Sequence, residues 1–478
     1  MKKVGYSLNE RKEFLLKEFQ YNTDLVFRTL SLRGHEIMLT YIDRIVDTTA
    51  IQEHIIRPIL QLPFKENRIG VTELCDVIEI AKIKSESDFN KVISALNDGN
   101  TIIMIDGEEK VLIADTADWK DRTPTVPQTQ RVLRGPQIGF IELANTNISL
   151  IKRIIKNQDL KIEDFQLGNR TNTSIYLLYL EDRVDKDILE EIKKKLQSIQ
   201  LSSIIDASYL EEQMTSDQVT PFPIMLSSER PDTVAGNLLE GRVAIICDGS
   251  PDVLIAPAVF IQFLQSPDDY YEKPFFQFTR IVRIISFFCT IFLIPLYIAF
   301  TLFHQELIPS ELLISLTAQR LDVPLPVVIE TVLFMFIFEV ILESSIRLAT
   351  GITLAFAIIG TIILGQSAAE AGFVQLSTLV VVSATYVFNF AIPIHPFAFA
   401  IKLIRYMFVF IASVFGLYGV IIGSFVLVNH FCSINSFGVP YLSPLTPFNS
   451  KDLKDTFFRF PLRKIIDSPK NYNKDDLK

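Results

Sequence analysis

One glutamate stands where a carboxylate is expensive. Glu339 lies inside LFMFIFEVILE (333–343), and an ionised acid at the centre of a membrane helix costs about 2.5–3.5 kcal/mol on insertion scales. Such a group must be paired, protonated, or turned toward protein or water. Glu343 follows four residues later and Arg347 four after that, so a helix sets all three on one face. Two readings fit: an internal Glu343–Arg347 packing pair, or an intramembrane polar cluster that lines or gates an ion path.

The next stretch, ITLAFAIIGTIILGQSAAEAG (352–372), offers a second chemistry. Ile358, Ile359, Ile362 and Ile363 supply an apolar register, and Gln366 and Glu370 share a face at its wetter end. An apolar constriction below a polar mouth suits a pore that gates by dewetting. The small residues, Gly351 to Gly372, serve close helix packing equally well. Between residues 304 and 401 the acids outnumber Arg320 and Arg347, which favours cations if the region conducts.

Covalent chemistry finds no home. GxGxxG, GxxxxGK[ST] and GxSxG are all missing, and the four cysteines and five histidines are scattered without metal-ligand spacing. The pairs Asp268-Asp269 and Glu211-Glu212 read as solvated charge. No enzyme, cofactor or metal site is expected. A formal charge of −9 argues against a nucleic-acid surface.

The elements that position these residues change character near Arg280. Residues 1–275 are charged and globular in pattern. From residue 284 to 303 no charge occurs, which is long enough for a ~30 Å hydrocarbon core. The expected fold is an α/β soluble region of two α/β subdomains (1–120 and 121–275), then an α-helical polytopic membrane domain (276–435) and a polar tail (436–478). Leu25 to Leu32 follow a loose helical period. Helices are expected at 74–81, 88–97, 147–157 and 185–199. Strands are expected at 161–167, 174–181 and 243–247. Asp106-Gly107 between TIIMI and KVLIA marks a hairpin. Residues 115–137, with Arg131 and Arg134, read as a hinge, and Arg134 is expected to fork onto a carboxylate of a neighbouring protomer.

Five spans are expected at 283–303, 326–346, 352–368, 376–395 and 404–431, with Leu312–Leu316 re-entrant or interfacial. No apolar leader precedes the charged start, so the front half is expected on the cytoplasmic side, flanked by Arg280 and Arg283. Arg347, Lys402 and Arg405 fall at that same face. A sixth crossing would return the tail to it. In SPDDYYEKP, Asp268 and Asp269 are expected to face water or a neighbouring subunit, and to couple soluble region to pore, with Tyr270 and Tyr271 at headgroup level.

Several blocks carry a resemblance. RVLRGPQIGFIE (131–142), NTNISLIKRIIKN, SERPDTVAGNLLEGRVAIICDGSP (228–251), APAVFIQFLQSPDDYYEKP (256–274), GQSAAEAG (365–372), FGVPYLSPLTPF and DLKDTFFRFPLRK occur in order. Together they resemble the A subunits of GerA-type nutrient germinant receptors of endospore-forming bacteria. Where that family shows Glu-Ala-Gly-Ile-Arg-Leu-Pro, this chain has Glu343 to Ala349 without the proline and glycine, but keeps Glu343 and Arg347. The resemblance implies a receptor subunit of the inner spore membrane. Its implied partners are a permease-like B subunit and a lipoprotein C subunit, with homo-oligomerisation and ion conduction on nutrient binding. A paralogue associated with the dipicolinate channel is the alternative inside the family. A secondary transporter and a non-conducting scaffold are the alternatives outside it.

Overall fold

The computed structural model describes residues 7–19, 23–32, 35–62, 70–117, 126–127, 129–132, 134–271, 278–321, 323–347, 365–448 and 456. It divides into two compact units. The first holds Met1–Asp217 and Met225–Pro257; the second holds Gln218–Ile224 and Ala258–Ser468. The chain therefore passes from one to the other at 217, 224 and 257.

Two five-stranded sheets form the first unit, and every pairing in them is antiparallel. Strands β1 (Leu25–Leu32), β2 (His35–Ile42), β3 (Ile83–Glu86), β4 (Thr101–Ile105) and β5 (Val111–Ala114) take the order β1-β2-β4-β5-β3. Strands β6 (Leu160–Leu167), β7 (Thr173–Leu180), β8 (Leu226–Ser228), β9 (Val243–Cys247) and β10 (Val253–Ala256) take the order β6-β7-β9-β10-β8. The two orders are the same topology repeated.

The repeat reaches the residues. Gly99 and Gly241 follow corresponding helices, Phe89–Asn97 and Pro231–Leu239, with φ of 84° and 88°. Asp106-Gly107 and Asp248-Gly249 turn corresponding hairpins, and Val-Leu-Ile-Ala fills both β5 and β10. Sequence reasoning missed this duplication, although it is legible as one constant offset between the blocks. The loose helical reading of Leu25–Leu32 is also corrected. That segment is β1, paired along its whole length with β2, because a cross-strand partner outweighs a weak 3.6 period. The helix at 74–81 falls at Val71–Val77, and the others lie within three residues of expectation at Phe89–Asn97, Ala144–Ile154 and Lys186–Ser198.

Ion pairs tie the two sheets together. Asp24, almost fully buried, accepts from Arg44 at 2.7 Å and from Lys152 at 2.6 Å. Arg44 reaches Asp164 of β6 at 3.2 Å and stacks over Tyr176 at 4.6 Å. Its own φ is 70°, a left-handed conformation that costs about 1–2 kcal/mol and that this network holds in place. Glu211 corrects the solvated reading of its pair. It is half-buried, and burial with the nearby Asp252 charge pushes its carboxyl up to about 7.

In the second unit, helices run Phe278–Leu302, Ser310–Arg320, Val327–Arg347, Gly365–Glu370, Leu376–Phe390 and His395–Ser433. Phe278–Leu302 and His395–Ser433 are each long and apolar enough to cross a membrane. Ser310–Arg320 is about 16 Å long and buries no residue, so it is too short to cross.

The 39-residue helix is not a rod. Gly416 breaks it with φ 58° and ψ −141°. Residues on the two sides then face each other: a Cβ on Gly419 would lie 2.7 Å from Ile411 Cγ2, and one on Gly423 would lie 3.0 Å from Phe408. Phe397 and Phe431, which a straight helix would separate by about 50 Å, both touch Phe222, at 5.8 and 4.6 Å between ring centroids. Residues 395–415 and 417–433 are thus two antiparallel legs of about 31 and 25 Å. The expected single span at 404–431 is corrected to a hairpin that returns the chain to the face it left.

Two stability outcomes follow. Gly416→Ala should lower the unfolding midpoint of the purified protein clearly, because its Cβ would meet the Phe303 ring at 2.8 Å at a positive φ. Gly236→Ala, helical with open space around it, should be neutral or stabilising by up to about 1 kcal/mol. Separately, Glu211 binds its proton more tightly when folded, so its contribution is greatest below pH 4.5 and falls as pH rises toward about 7. Glu211→Gln should flatten chemical-denaturation stability over that window; an unchanged pH profile would refute the assignment.

Candidate functional site

Glu339 has its cations on another helix. Lys402 Nζ lies 2.6 Å from Glu339 Oε2, and Arg405 Nη2 donates to Oε1 at 3.2 Å. The Tyr386 hydroxyl is 2.9 Å from Oε1 and 2.8 Å from the Met335 carbonyl, and its single proton serves one at a time. The Arg405 guanidinium sits over the Tyr386 ring at 4.5 Å, and Phe338 stacks with the same ring at 5.1 Å. Helical rise puts Glu339, Tyr386 and Arg405 about 18, 15 and 15 Å from the starts of Val327–Arg347, Leu376–Phe390 and His395–Ser433, inside the helices rather than at their first turns.

Sequence reasoning did not pair Lys402 and Arg405 with Glu339. Arg405 is fully buried, and Lys402 and Glu339 are each about one-fifth exposed. The physical reason is pairing: a mid-helix carboxylate draws the nearest cations inward. Their spacing carried the signal, since Lys402 and Arg405 are three apart on one helix face inside an apolar run. Glu343 is exposed, and the Arg347 side chain lies outside the described residues.

Nearer the other ends of these helices, Glu330 caps a helix. Its Oε1 accepts from the backbone N–H of Gln375 at 2.6 Å, and Gln375 is the N-cap of Leu376–Phe390. A carboxylate there complements the helix dipole. The Tyr297 hydroxyl lies 3.0–3.3 Å from Gln375, Ser377 and Thr378, fixing the same end.

A third charge cluster stands before the first membrane helix. Asp269 is 5% exposed at its side chain, and it binds Arg280 Nε at 2.9 Å and Arg283 Nη1 at 2.8 and 3.0 Å. The expectation that Asp269 faces water or a neighbour is therefore corrected. Two arginines one helical turn apart converge on it. Asp268 is half-buried beside Ser266, and Tyr270 lies under Arg280 at 5.7 Å.

Beside this cluster, three separate segments close on an aromatic core. Phe222, Phe260, Phe263, Phe287, Phe397 and Phe431 contact one another with centroids 4.6–6.0 Å apart. Tyr441 joins them, and Phe260 N–H donates to its carbonyl at 2.8 Å. Buried Ser436 binds both incoming segments: its hydroxyl donates to Ile224 O at 2.7 Å and accepts from Ala258 N–H at 2.9 Å. Sequence reasoning missed this core, because its rings come from segments far apart in the chain.

Of the other expected site residues, Arg131 and Arg134 are exposed. Glu370 is exposed at the end of Gly365–Glu370. Ile358, Ile359, Ile362 and Ile363 lie outside the described residues, as does the side chain of Gln366. Among the described residues no cluster of His, Cys, Asp and Glu could hold a metal ion.

An α/β region joined to apolar helices with buried charge pairs defines a membrane protein with a large folded front half. A sequence profile described as Bacillus/Clostridium GerA spore germination protein matches residues 13–471, and the chain belongs to that family. Spore germination protein KA of Bacillus subtilis is 38% identical over 96% of this chain and 86% of its own length. An uncharacterised membrane protein of the same organism, YfkQ, is 33% identical over 98% of this chain and 92% of its own. Spore germination protein A1, also of B. subtilis, is 31% identical over 98% and 96%. The crystal structure of the N-terminal domain of the A subunit of the Bacillus megaterium spore germinant receptor GerK3 is 31% identical, covering 55% of this chain and 99% of that one, with a TM-score of 0.43.

Breaking the central pair should be costly. Glu339→Gln leaves Lys402 and Arg405 facing each other, and should destabilise the purified protein by about 3–5 kcal/mol. Lys402→Met should cost less, because Arg405 still neutralises Glu339. Thermal unfolding of the two variants side by side checks that order.

Proposed function

We propose that this chain is the A subunit of a nutrient germinant receptor in the inner spore membrane, acting with a permease-like B subunit and a lipoprotein C subunit. In this reading it forms homo-oligomers that conduct cations when nutrient binds, with the front half on the core side. The family match across residues 13–471 carries the proposal. It is supported by residues 218–224, 258–264 and 434–441, which hydrogen-bond together in the unit that holds the helices, the first flanking β8 and the second running on from β10 toward helix Phe278–Leu302.

Coupling runs through Asp269 in this proposal. A movement of the 258–271 segment pulls on Arg280 and Arg283, and so on helix Phe278–Leu302. The pore is assigned to the 352–372 stretch, with Ile358, Ile359, Ile362 and Ile363 as the constriction and Gln366 and Glu370 as its mouth. Glu339, Glu343 and Arg347 are assigned to the intramembrane polar cluster, in which Lys402 and Arg405 neutralise Glu339. Arg131 and Arg134, exposed and basic, are assigned to contacts between protomers.

Current recording from the full-length protein reconstituted with both partners tests the proposal. Nutrient should open a cation-selective conductance, Ile362→Ala should leak without nutrient, and Glu370→Gln should lower the cation flux. Arg283→Gln should weaken the nutrient response while assembly persists. Anion-selective current, or none under any condition, would overturn the conducting role.

A further inference from the structure

The charges around Glu339 do not balance. One acid faces two cations, Lys402 and Arg405, inside the helical unit. Arg405 is fully buried, and its Nε and Nη1 have no hydrogen-bond partner among the described residues. Its Nη2 alone is satisfied by Glu339. The Tyr386 and Tyr406 rings lie 4.5 and 5.8 Å from the guanidinium carbon, and neither gives Nε or Nη1 an acceptor of good geometry.

This chain has little with which to close the deficit. Helices Phe278–Leu302, Leu376–Phe390 and His395–Ser433 contain no Asp or Glu, and neither does the stretch 348–364. Glu330 is committed to the Gln375 amide, and Glu343 is exposed. Uncompensated positive charge in a medium of low dielectric is strongly unfavourable, and unserved buried N–H donors add to the cost.

We infer that Lys402 and Arg405 hold a small monovalent anion, a halide or a carboxylate group, beside Glu339. The anion makes the cluster neutral, two charges against two, and gives the Arg405 edge an acceptor. Lys402 and Glu339, each about one-fifth exposed, provide the way in. The site rests on reading these helices as membrane-embedded and not on the receptor proposal, so it stands whether or not the protein conducts.

The test uses the full-length protein in lipid nanodiscs at constant ionic strength, with a bulky sulfonate (MES) replaced stepwise by chloride in one series and by acetate in another. The thermal midpoint should rise and saturate in chloride, in acetate, or in both; the series that saturates at lower concentration identifies the anion. Lys402→Met and Arg405→Gln should each weaken the half-saturating concentration about tenfold or more, as loss of a charged hydrogen bond implies. Glu339→Gln removes the competing negative charge and should tighten it. If Arg405→Gln does not fold, Lys402→Met and Glu339→Gln decide the matter by moving in opposite directions. No saturable rise in either series, or one unchanged in the variants (an adventitious ion only), would overturn the inference.

Discussion

A carboxylate among hydrocarbon side chains needs a partner within hydrogen-bond reach, and Glu339 sets the bundle accordingly. Its position on Val327–Arg347 fixes where Lys402 and Arg405 must lie, and so fixes the rotation of the leg that carries them. Tyr386 completes the arrangement from a third helix. Apolar packing alone leaves helices free to slide, since lipid is as apolar as leucine. Polar contacts at one depth remove that freedom. Glu330 repeats the device nearer the other end, holding the start of Leu376–Phe390 in register with the same helix.

Much of the architecture is legible in the residues. Strongly periodic or sharply punctuated elements appear where expected: helix Lys186–Ser198, the Asp106-Gly107 hairpin, and the switch to apolar sequence near Arg280. Partners across long separations are not legible that way. Glu339 announces its need for a cation but not which one, and the local candidate at Arg347 hid the distant pair at Lys402 and Arg405. Asp269 misled in the same way. An acidic pair in a polar segment looks solvated until Arg280 and Arg283, one turn apart on the next helix, are folded onto it. The reversal at Gly416 escapes notice because the run around it is uniformly apolar, and hydropathy records length but not direction.

The duplicated sheets show where the soluble region spends its constraints. Both copies keep the glycine after the helix and the Asp-Gly turn, positions that demand positive φ. Both keep Val-Leu-Ile-Ala in a fully or largely buried strand. What differs lies between β8 and its neighbours: the second copy releases residues 218–224 just before that strand and 258–264 just after β10, and these two excursions belong to the other compact unit. A repeated scaffold has thus been modified at the two places where its chain leaves it.

The hairpin at Gly416 also dictates an order of events during synthesis. Phe222 and Phe260 emerge early, yet Phe431, Ser436 and Tyr441, which complete their surroundings, are made near the end of the chain. Until both legs have inserted and returned, that aromatic surface has no cover. A chain truncated before residue 431 therefore lacks the cover that Phe431, Ser436 and Tyr441 give that surface.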